Sequence, residues 1–566
     1  MRKKSRKYIF VIGGVMSGVG KGIATSAIGK ILQAKGFEVN PIKIDPYLNV
    51  DAGTMNPTEH GEVFVLDSGL ETDQDMGNYE RFLNLNLKPD DYITSGMVYR
   101  HVIEKERNLG YKGKCVEAIP HITDEILRRI HRAAENNGSE ISLIEIGGTV
   151  GDYQNIMFIE AARVLKLRHH SDVLFILVTY LPIPDKIGEM KTRPTQTAVR
   201  MLNSYGVQPD VLIARSETPL DRKRKEKIAV SCNVPVENVI SAPDVESIYD
   251  VPVNFERDHL GDIVLRSLNL KSRVRRDGLL PWRQFVSRVR GASEELKIAV
   301  VGKYFDTGDF VLSDAYLSVI EAVKYSAYKL GKKPSLTWIN SKLYESGEKN
   351  ISELAGFHGV IVPGGFGESG IEGKLAAIRF ARENKIPYLG LCYGMQLAVI
   401  EFARHVALIP GATTSEIEAE AEHPVINILP EQRKKLSEGD YGGSMRLGAC
   451  PARLKLGTLA YRAYGRETIS ERHRHRYEIN PKYVEELERA GLIFSGLSPD
   501  GALAEIAELP RTAHPFFLGT QFHPEFLARP LNPHPLFSAF LKAAVKRRDS
   551  PRLPARRSLT PAALVN

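Results

Sequence analysis

A chain of 566 residues, 43% hydrophobic and 25% charged, is too long for one core and has the composition of a soluble protein of two to four domains. No apolar run approaches the ~18 residues of a membrane span, Met1-Arg2-Lys3-Lys4 leads into a strand with no cleavable signal pattern, and Cys115, Cys232, Cys392 and Cys450 lie far apart with no C-x-x-C. A cytoplasmic protein with no membrane partner, no zinc site and no disulfide framework is therefore expected. The net charge of +8 does not imply nucleic acid, because residues 546–566 hold six Lys/Arg against one Asp, which is +5 of that total. That Pro-containing segment is expected to be a disordered, solvated basic tail.

In chain order, the first predicted element is a β-branched and aromatic strand over 8–12. It ends in Gly13-Gly14 and is followed by a helical pattern over 23–34. Amphipathic helices over 122–134 and 155–167 then alternate with buried strands over 141–146, 173–178 and 211–214. This alternation predicts a mostly parallel sheet covered on both faces. Around 272–276 and Pro281 the pattern becomes charged and irregular, predicting a linker over 272–295 between domains at 1–271 and 296–545. The second block restarts with strands over 296–301, 359–362 and 388–391, again alternating with helices. The expected fold class is α/β, two doubly wound, mostly parallel-sheet domains, with no internal repeat.

The glycine loop carries the first chemical signal. Gly13-Gly14-Val15-Met16-Ser17-Gly18-Val19-Gly20-Lys21-Gly22 sits at a strand-to-helix junction, where backbone N–H groups and the helix N-terminus cradle phosphate and Lys21 neutralises it. The loop departs from G-x-x-x-x-G-K-[ST], since Gly22 brings no hydroxyl for Mg²⁺. Metal ligands are expected instead at Asp73, Asp75 or Glu145, the last at a strand end where ligands gather in open α/β sheets.

The second signal is Gly390-Leu391-Cys392-Tyr393-Gly394 with His523-Pro524-Glu525 far downstream. Small residues around the cysteine permit the tight strand-to-helix turn that pushes a nucleophile into a cleft and frees N–H groups for an oxyanion. A thiol needs an imidazole to take its proton and a carboxylate to orient that imidazole. Together with Pro363-Gly364-Gly365-Phe366-Gly367 and the run 521–525, these residues resemble class I glutamine amidotransferases over about 296–545. The resemblance implies glutamine hydrolysis to glutamate and ammonia through a thioester on Cys392.

Further strings, Lys43-Ile44-Asp45-Pro46-Tyr47, Gly53-Thr54-Met55-Asn56-Pro57, His60-Gly61-Glu62-Val63-Phe64-Val65, the runs 145–152 and 188–196, and Arg472 to Tyr477, resemble the CTP synthase family. What the family implies is an N-terminal P-loop-like, dethiobiotin-synthetase-like amidoligase domain joined to a class I glutaminase. ATP would phosphorylate the 4-oxygen of UTP, and ammonia would displace phosphate to give CTP. The chemistry is coherent, because phosphorylation turns a poor leaving group into a good one and ammonia made inside the protein stays an uncharged nucleophile.

Carried over by matching position, the family implies ATP contacts at Ser17, Gly18, Val19, Gly20, Lys21, Gly22, Lys43, Asp75 and Val245, and Mg²⁺ at Asp75 and Glu145. UTP would meet Ser17, Asp152, Tyr153, Gln154, Lys191, Thr192, Arg193, Pro194, Thr195, Gln196 and Lys227. Glutamine would meet Gly365, Tyr393, Gly394, Met395, Gln396, Glu416 and Arg476. GTP is implied as an allosteric activator, a homotetramer as the assembly, and filaments as a further state open to the family. The sequence departs from the family pattern at Gly18, Asn78, Gln154, Pro243 and Ser369, none of which removes a catalytic group. An amidoligase acting on a carboxylate fits less well with Lys191-Thr192-Arg193-Pro194-Thr195-Gln196, and a decayed assembly protein fits poorly with Cys392, His523, Glu525, Lys21, Asp75 and Glu145 all in place.

Overall fold

The computed structural model describes residues 6–16, 18–56, 61–184, 188–302, 306–307, 310–311, 313–365, 367, 369–428 and 445–550. The chain folds as two compact units: unit 1 is Met1–Thr54 with Glu71–Ser287, and unit 2 is Met55–Leu70 with Arg288–Asn566.

Unit 1 is built on seven strands: β1 (Lys7–Gly13), β2 (Val39–Asp45), β3 (Tyr92–Thr94), β4 (Ile141–Ile146), β5 (Val173–Tyr180), β6 (Val211–Ser216) and β7 (Val239–Pro243). Their order is β3-β2-β4-β1-β5-β6-β7, and every neighbouring pair is parallel. All seven residues of β1 are buried. Its residues alternate between two cores: Tyr8, Phe10 and Ile12 enter one and Ile9 and Val11 the other, because successive side chains leave a strand on opposite faces. That two-sided burial is why the strands read as continuous apolar runs. β2 and β7 escaped the sequence reading because Asn40, Pro41 and Lys43 in β2, and Ser241 and Pro243 in β7, interrupt the apolar pattern.

The segment expected as a linker is partly helical. Leu280–Gly291 forms a helix with Pro281 in its first turn, where no backbone N–H is needed. Trp282, Phe285 and Val286, at i, i+3 and i+4, are buried, and Trp282 Nε1 donates to Tyr249 O at 2.8 Å. Each such burial contributes about 1.5–3 kcal/mol, enough to hold a helix in a charged stretch.

The main sheet of unit 2 has nine strands: β8 (Glu294–Gly302), β9 (Lys332–Asn340), β10 (Gly359–Val362), β11 (Tyr388–Leu391), β12 (Arg446–Leu454), β13 (Thr468–His475), β14 (Ile493–Leu497), β15 (Ala504–Glu508) and β16 (Phe517–Thr520). The order is β9-β8-β10-β11-β16-β15-β14-β12-β13. The sheet is parallel from β9 to β16 and antiparallel from β16 to β13, an extension absent from the sequence reading.

Within unit 2, the segment Met55–Leu70 is tied to elements far along the chain. Glu62 accepts from Ser318 N at 3.0 Å, Arg472 donates to Asp67 at 2.6 Å and to Val65 O at 3.0 Å, and Phe64 packs edge-on against Phe526. The expected first domain is thus interrupted, with these residues grouped elsewhere. The last helix, Pro535–Asp549, makes the start of the expected tail helical, while 551–566 lie outside the described residues.

Candidate functional site

In unit 1 the loop after β1 is strapped at the carboxyl edge of the sheet. Gly14 N donates to Val178 O at 2.8 Å and Val150 N to Gly13 O at 3.0 Å. Helix α1 (Lys21–Ala34) follows with Gly20 at its N-cap, φ 80°, and no side chain capping it among the described residues. The first N–H groups of α1 are thereby left for an anion. Lys21 Nζ donates to Gly148 O at 2.7 Å, and Arg215 reaches Gly18 O at 3.2 Å. Burial, stronger than the pull of Glu145 and Asp75, holds the Lys21 ammonium below its ordinary pKa.

Below this loop Lys43, 4% exposed, lies among four carboxylates. Its Nζ is 2.5 Å from Asp75, 3.0 Å from Glu145, 3.7 Å from Asp45 and 3.9 Å from Asp73. Helix α2 (Gln74–Leu83) delivers Asp75, with Asp73 as its N-cap accepting from Asp75 N at 2.8 Å. Burial raises the pKa of Asp73, Asp45 and Glu145, whereas Lys43 outweighs burial at Asp75 and lowers it; the same carboxylates hold Lys43 protonated against its burial.

The missing hydroxyl at position 22 has a steric cause. A Cβ on Gly22 would stand 1.9 Å from Asp75 Oδ1, so the carboxylate fills the space a serine would need. With four acids around Lys43 and Lys21, the excess negative charge suits a hard divalent cation. Among the described residues no three His, Cys, Asp or Glu are arranged as a metal cage.

Sequence reasoning missed the groups that hold these acids. Tyr79, one turn after Asp75 on α2, donates to Glu145; Tyr92 donates to Asp45 at 2.9 Å; and Asn78 donates to Asp75 at 3.4 Å while accepting from Arg81. The i, i+3 and i+4 spacing of Asp75, Asn78 and Tyr79 was the available signal.

The remaining expected nucleotide contacts scatter in character. Ser17 lies outside the described residues. Gly18 has φ 71°, Val19 is buried and Val245 is half-buried after β7. Asp152 turns back on its own loop, accepting from Thr149 N at 2.6 Å, with Tyr153 and Gln154 exposed beside it. Helix α3 (Arg193–Ser204) begins with exposed Arg193 and half-buried Pro194. Thr195 is turned inward, its hydroxyl bonded to Thr179 at 3.0 Å. Gln196 donates to Thr192 at 3.2 Å, Lys191 pairs with Glu189 at 2.6 Å, and Lys227 is exposed.

In unit 2, Cys392 stands between β11 and helix α4 (Tyr393–His405) with φ 51° and ψ −100°, a strained conformation for a residue with a Cβ. Glycines on both sides make this turn possible: a Cβ on Gly390 would meet Gly394 C at 2.7 Å, and one on Gly394 would meet Val362 O at 2.0 Å. His523 follows β16, and its Nδ1 lies 2.7 Å from Glu525 Oε1. A Cβ on Gly364 would be 2.9 Å from His523 Cε1 and 3.8 Å from Cys392 Cβ, which brings all three residues to one place. His523 Nε2 is buried without a hydrogen-bond partner among the described residues. Burial disfavours the imidazolium, but Glu525 and Cys392 prevail and raise the ring to about 10.

Around this centre Gln521 Nε2 is 3.7 Å from Cys392 Sγ, and Phe526 stacks on His523 at 5.2 Å between ring centres. Glu416 accepts from Gly367 N at 2.8 Å, and Gln396 donates to Tyr477 O at 2.8 Å. Tyr393 OH donates to Gly367 O at 3.3 Å, Gly365 and Arg476 are half-buried, and Met395 is wholly buried against Gly519. Gln521 and Phe526 were not foreseen, although both flank the His-Pro-Glu string.

Comparison with known proteins agrees with both halves. Residues 7–270 match the family described as CTP synthase N-terminus, and 311–543 match glutamine amidotransferase class-I. A CTP synthase of Methanococcus maripaludis is 49% identical over 96% of this chain and 100% of its own length. The chain belongs to the CTP synthase family. Another CTP synthase, from Thermococcus gammatolerans, is 50% identical over 96% of this chain and 99% of its own. A solved structure, a Trypanosoma brucei CTPS glutaminase domain with bound acivicin, is 36% identical over 44% of this chain and 94% of that one, at a TM-score of 0.41. No helix among the described residues is long and apolar enough to cross a membrane.

Proposed function

We propose that unit 1 is the amidoligase and unit 2 the glutaminase of an enzyme that aminates UTP to CTP with ATP and glutamine, the reaction of its family. The observation that carries the reading is the presence, in one chain of the family, of an uncapped glycine-loop helix with Lys21 and of Cys392 gathered with His523 and Glu525.

In unit 2, Cys392 Sγ attacks the glutamine amide carbon. His523 Nε2, paired with the Cys392 sulfur as imidazolium, gives its proton to departing ammonia, and Glu525 holds the ring through Nδ1. Water then hydrolyses the thioester. Gly365, Tyr393, Gly394, Met395, Gln396, Glu416 and Arg476 form the glutamine pocket, with Gln396 and Glu416 fixing its walls.

In unit 1, α1 and Lys21 hold the phosphates of ATP while the 4-oxygen of UTP is phosphorylated, and ammonia displaces that phosphate. Asp75 and Glu145 would hold Mg²⁺, which neutralises phosphate charge; Lys43, now between them, would turn toward phosphate. Ser17, Asp152 and the segment 191–196 with Lys227 would bind UTP, and Val245 would lie beside ATP. A tetramer and GTP activation belong to the same reading. Incubation with UTP, ATP, Mg²⁺ and glutamine should yield CTP, seen by absorbance; no CTP from either glutamine or ammonium would overturn it.

A further inference from the structure

Besides His523, the Cys392 sulfur has two polar neighbours, and they are of opposite sense. Arg474 O lies 3.8 Å from Sγ and accepts, while Gln521 Nε2 lies at 3.7 Å and donates, both distances that the larger sulfur atom allows. The carbonyl suits a thiol, which has a proton to give. The amide suits a thiolate, which can only accept.

Gln521 is wholly buried, and its backbone is held from three sides. Cys392 N donates to Thr520 O at 2.6 Å, Gln521 N to Glu505 O at 2.8 Å and His523 N to Arg472 O at 2.8 Å, which pins the run 520–523 to the end of β11, to β15 and to β13. The sense of the side-chain amide is fixed as well. Tyr477 O can only accept, so Gln396 must present its NH2 there, at 2.8 Å, and the same nitrogen donates to Gln521 Oε1 at 3.2 Å. With its oxygen taken by Gln396, Gln521 can offer the sulfur only an N–H. Exchanging the oxygen and nitrogen of Gln521 would set two NH2 groups face to face and turn an acceptor toward the sulfur, which a buried polar chain does not tolerate.

We propose that Gln521 is a further residue of the glutaminase reaction, its Nε2–H donating to the Cys392 thiolate and aiming the sulfur at the glutamine amide carbon, with Gln396 as the positioning residue that sets the sense of that amide. The proposal rests on the reading of unit 2 as the glutaminase. When the C–S bond forms, sulfur gives its electron pair to the amide carbon and the contact weakens. When water cleaves the thioester the C–S bond breaks, the pair returns to sulfur, and the same N–H receives it. The donor thus serves the sulfur at the start of acylation and at the end of deacylation.

Gln521→Met tests this, because it fills a similar volume without a donor and leaves Gln396 its bond to Tyr477 O. Glutamate release from glutamine should fall on the order of tenfold in kcat, the effect of losing a hydrogen bond to a charged group, with KM for glutamine little changed. Added ammonium should still support CTP formation. The acid limb of iodoacetamide alkylation at Cys392, followed by peptide mass spectrometry, should move up by about one pH unit, the equivalent of that tenfold. A packing role alone would leave that limb where it is. Should Gln521→Met unfold, Gln521→Asn keeps the amide but is one methylene too short to reach the sulfur, and it should show the same two changes. An unchanged kcat or an unmoved acid limb in a folded variant would overturn the proposal. A wild-type chain that releases no glutamate from glutamine would instead overturn the reading of unit 2, and the proposal with it.

Discussion

At the Lys21 loop, four carboxylates, two buried and two half-buried, surround Lys43 below an uncapped helix end, whereas at Cys392 one thiol, one imidazole and one carboxylate stand on a strained turn. The first arrangement stores charge: four carboxylates stand against the ammoniums of Lys43 and Lys21, an excess that a hard cation would offset. The second stores geometry, since steric closeness at Gly390 and Gly394 fixes where the sulfur points before any substrate arrives. Transfer of a phosphoryl group is mainly positioning and charge stabilisation, while amide cleavage needs an aimed nucleophile with its base. The contrast predicts that charge deletions injure unit 1 and steric or proton-transfer changes injure unit 2.

The sharpest break in that contrast comes from Cys392→Ala. Glutamine-dependent CTP formation should fall on the order of 10³-fold or more, while added ammonium still supports turnover. Loss of both in a folded variant would remove the division of labour. Lys21→Ala should lose on the order of 10²–10³-fold with either nitrogen source, since a charge aimed at the transferred phosphate is gone. Near-normal ammonium-dependent rates would mean that the loop does not bind ATP.

Gly22→Ser restores the more common loop sequence and should nevertheless be harmful. Its Cβ collides with Asp75, costing about 1–3 kcal/mol in stability or displacing the carboxylate, and CTP synthesis should drop with both nitrogen sources. A fully active, stable Gly22→Ser enzyme would refute the steric account.

For His523, the folded pKa near 10 lies above its ordinary 6.5. Imidazolium pairing therefore adds stability that is complete below about pH 6.5 and lost as pH rises through about 10. Titration of the His523 ring by NMR should show one late deprotonation, moved to lower pH in Glu525→Gln. Smallest of all, Gln154→Glu should strengthen CTP inhibition about fivefold if this exposed position meets bound CTP, as a charged acceptor exceeds a neutral one by about 1 kcal/mol. Equal inhibition constants would assign feedback elsewhere.

Much of this was legible in the chain. The strand, glycine loop and lysine around 8–22 are local, as is the Gly-x-Cys-x-Gly turn, because each depends on backbone conformations that neighbouring residues impose. Asp75 and Glu145, expected beside this loop from motif and strand-end position, lie 2.5 and 3.0 Å from Lys43 Nζ. Less visible were the antiparallel half of the unit 2 sheet, whose strands are short or interrupted by charge, and the helix Leu280–Gly291, hidden by its arginines and Pro281.

By itself the sequence determined the two parallel α/β cores, the elements that present Lys21 and Cys392, and the chemistry those residue types allow, since periodicity and turn chemistry are written locally. Only the tertiary structure decided that Asp75 fills the space beside Gly22, that Met55–Leu70 packs behind Phe526 and His523, and that His473 meets Glu505. Those contacts join residues separated by tens to hundreds of positions, and only side-chain packing and charge pairing in three dimensions choose such partners.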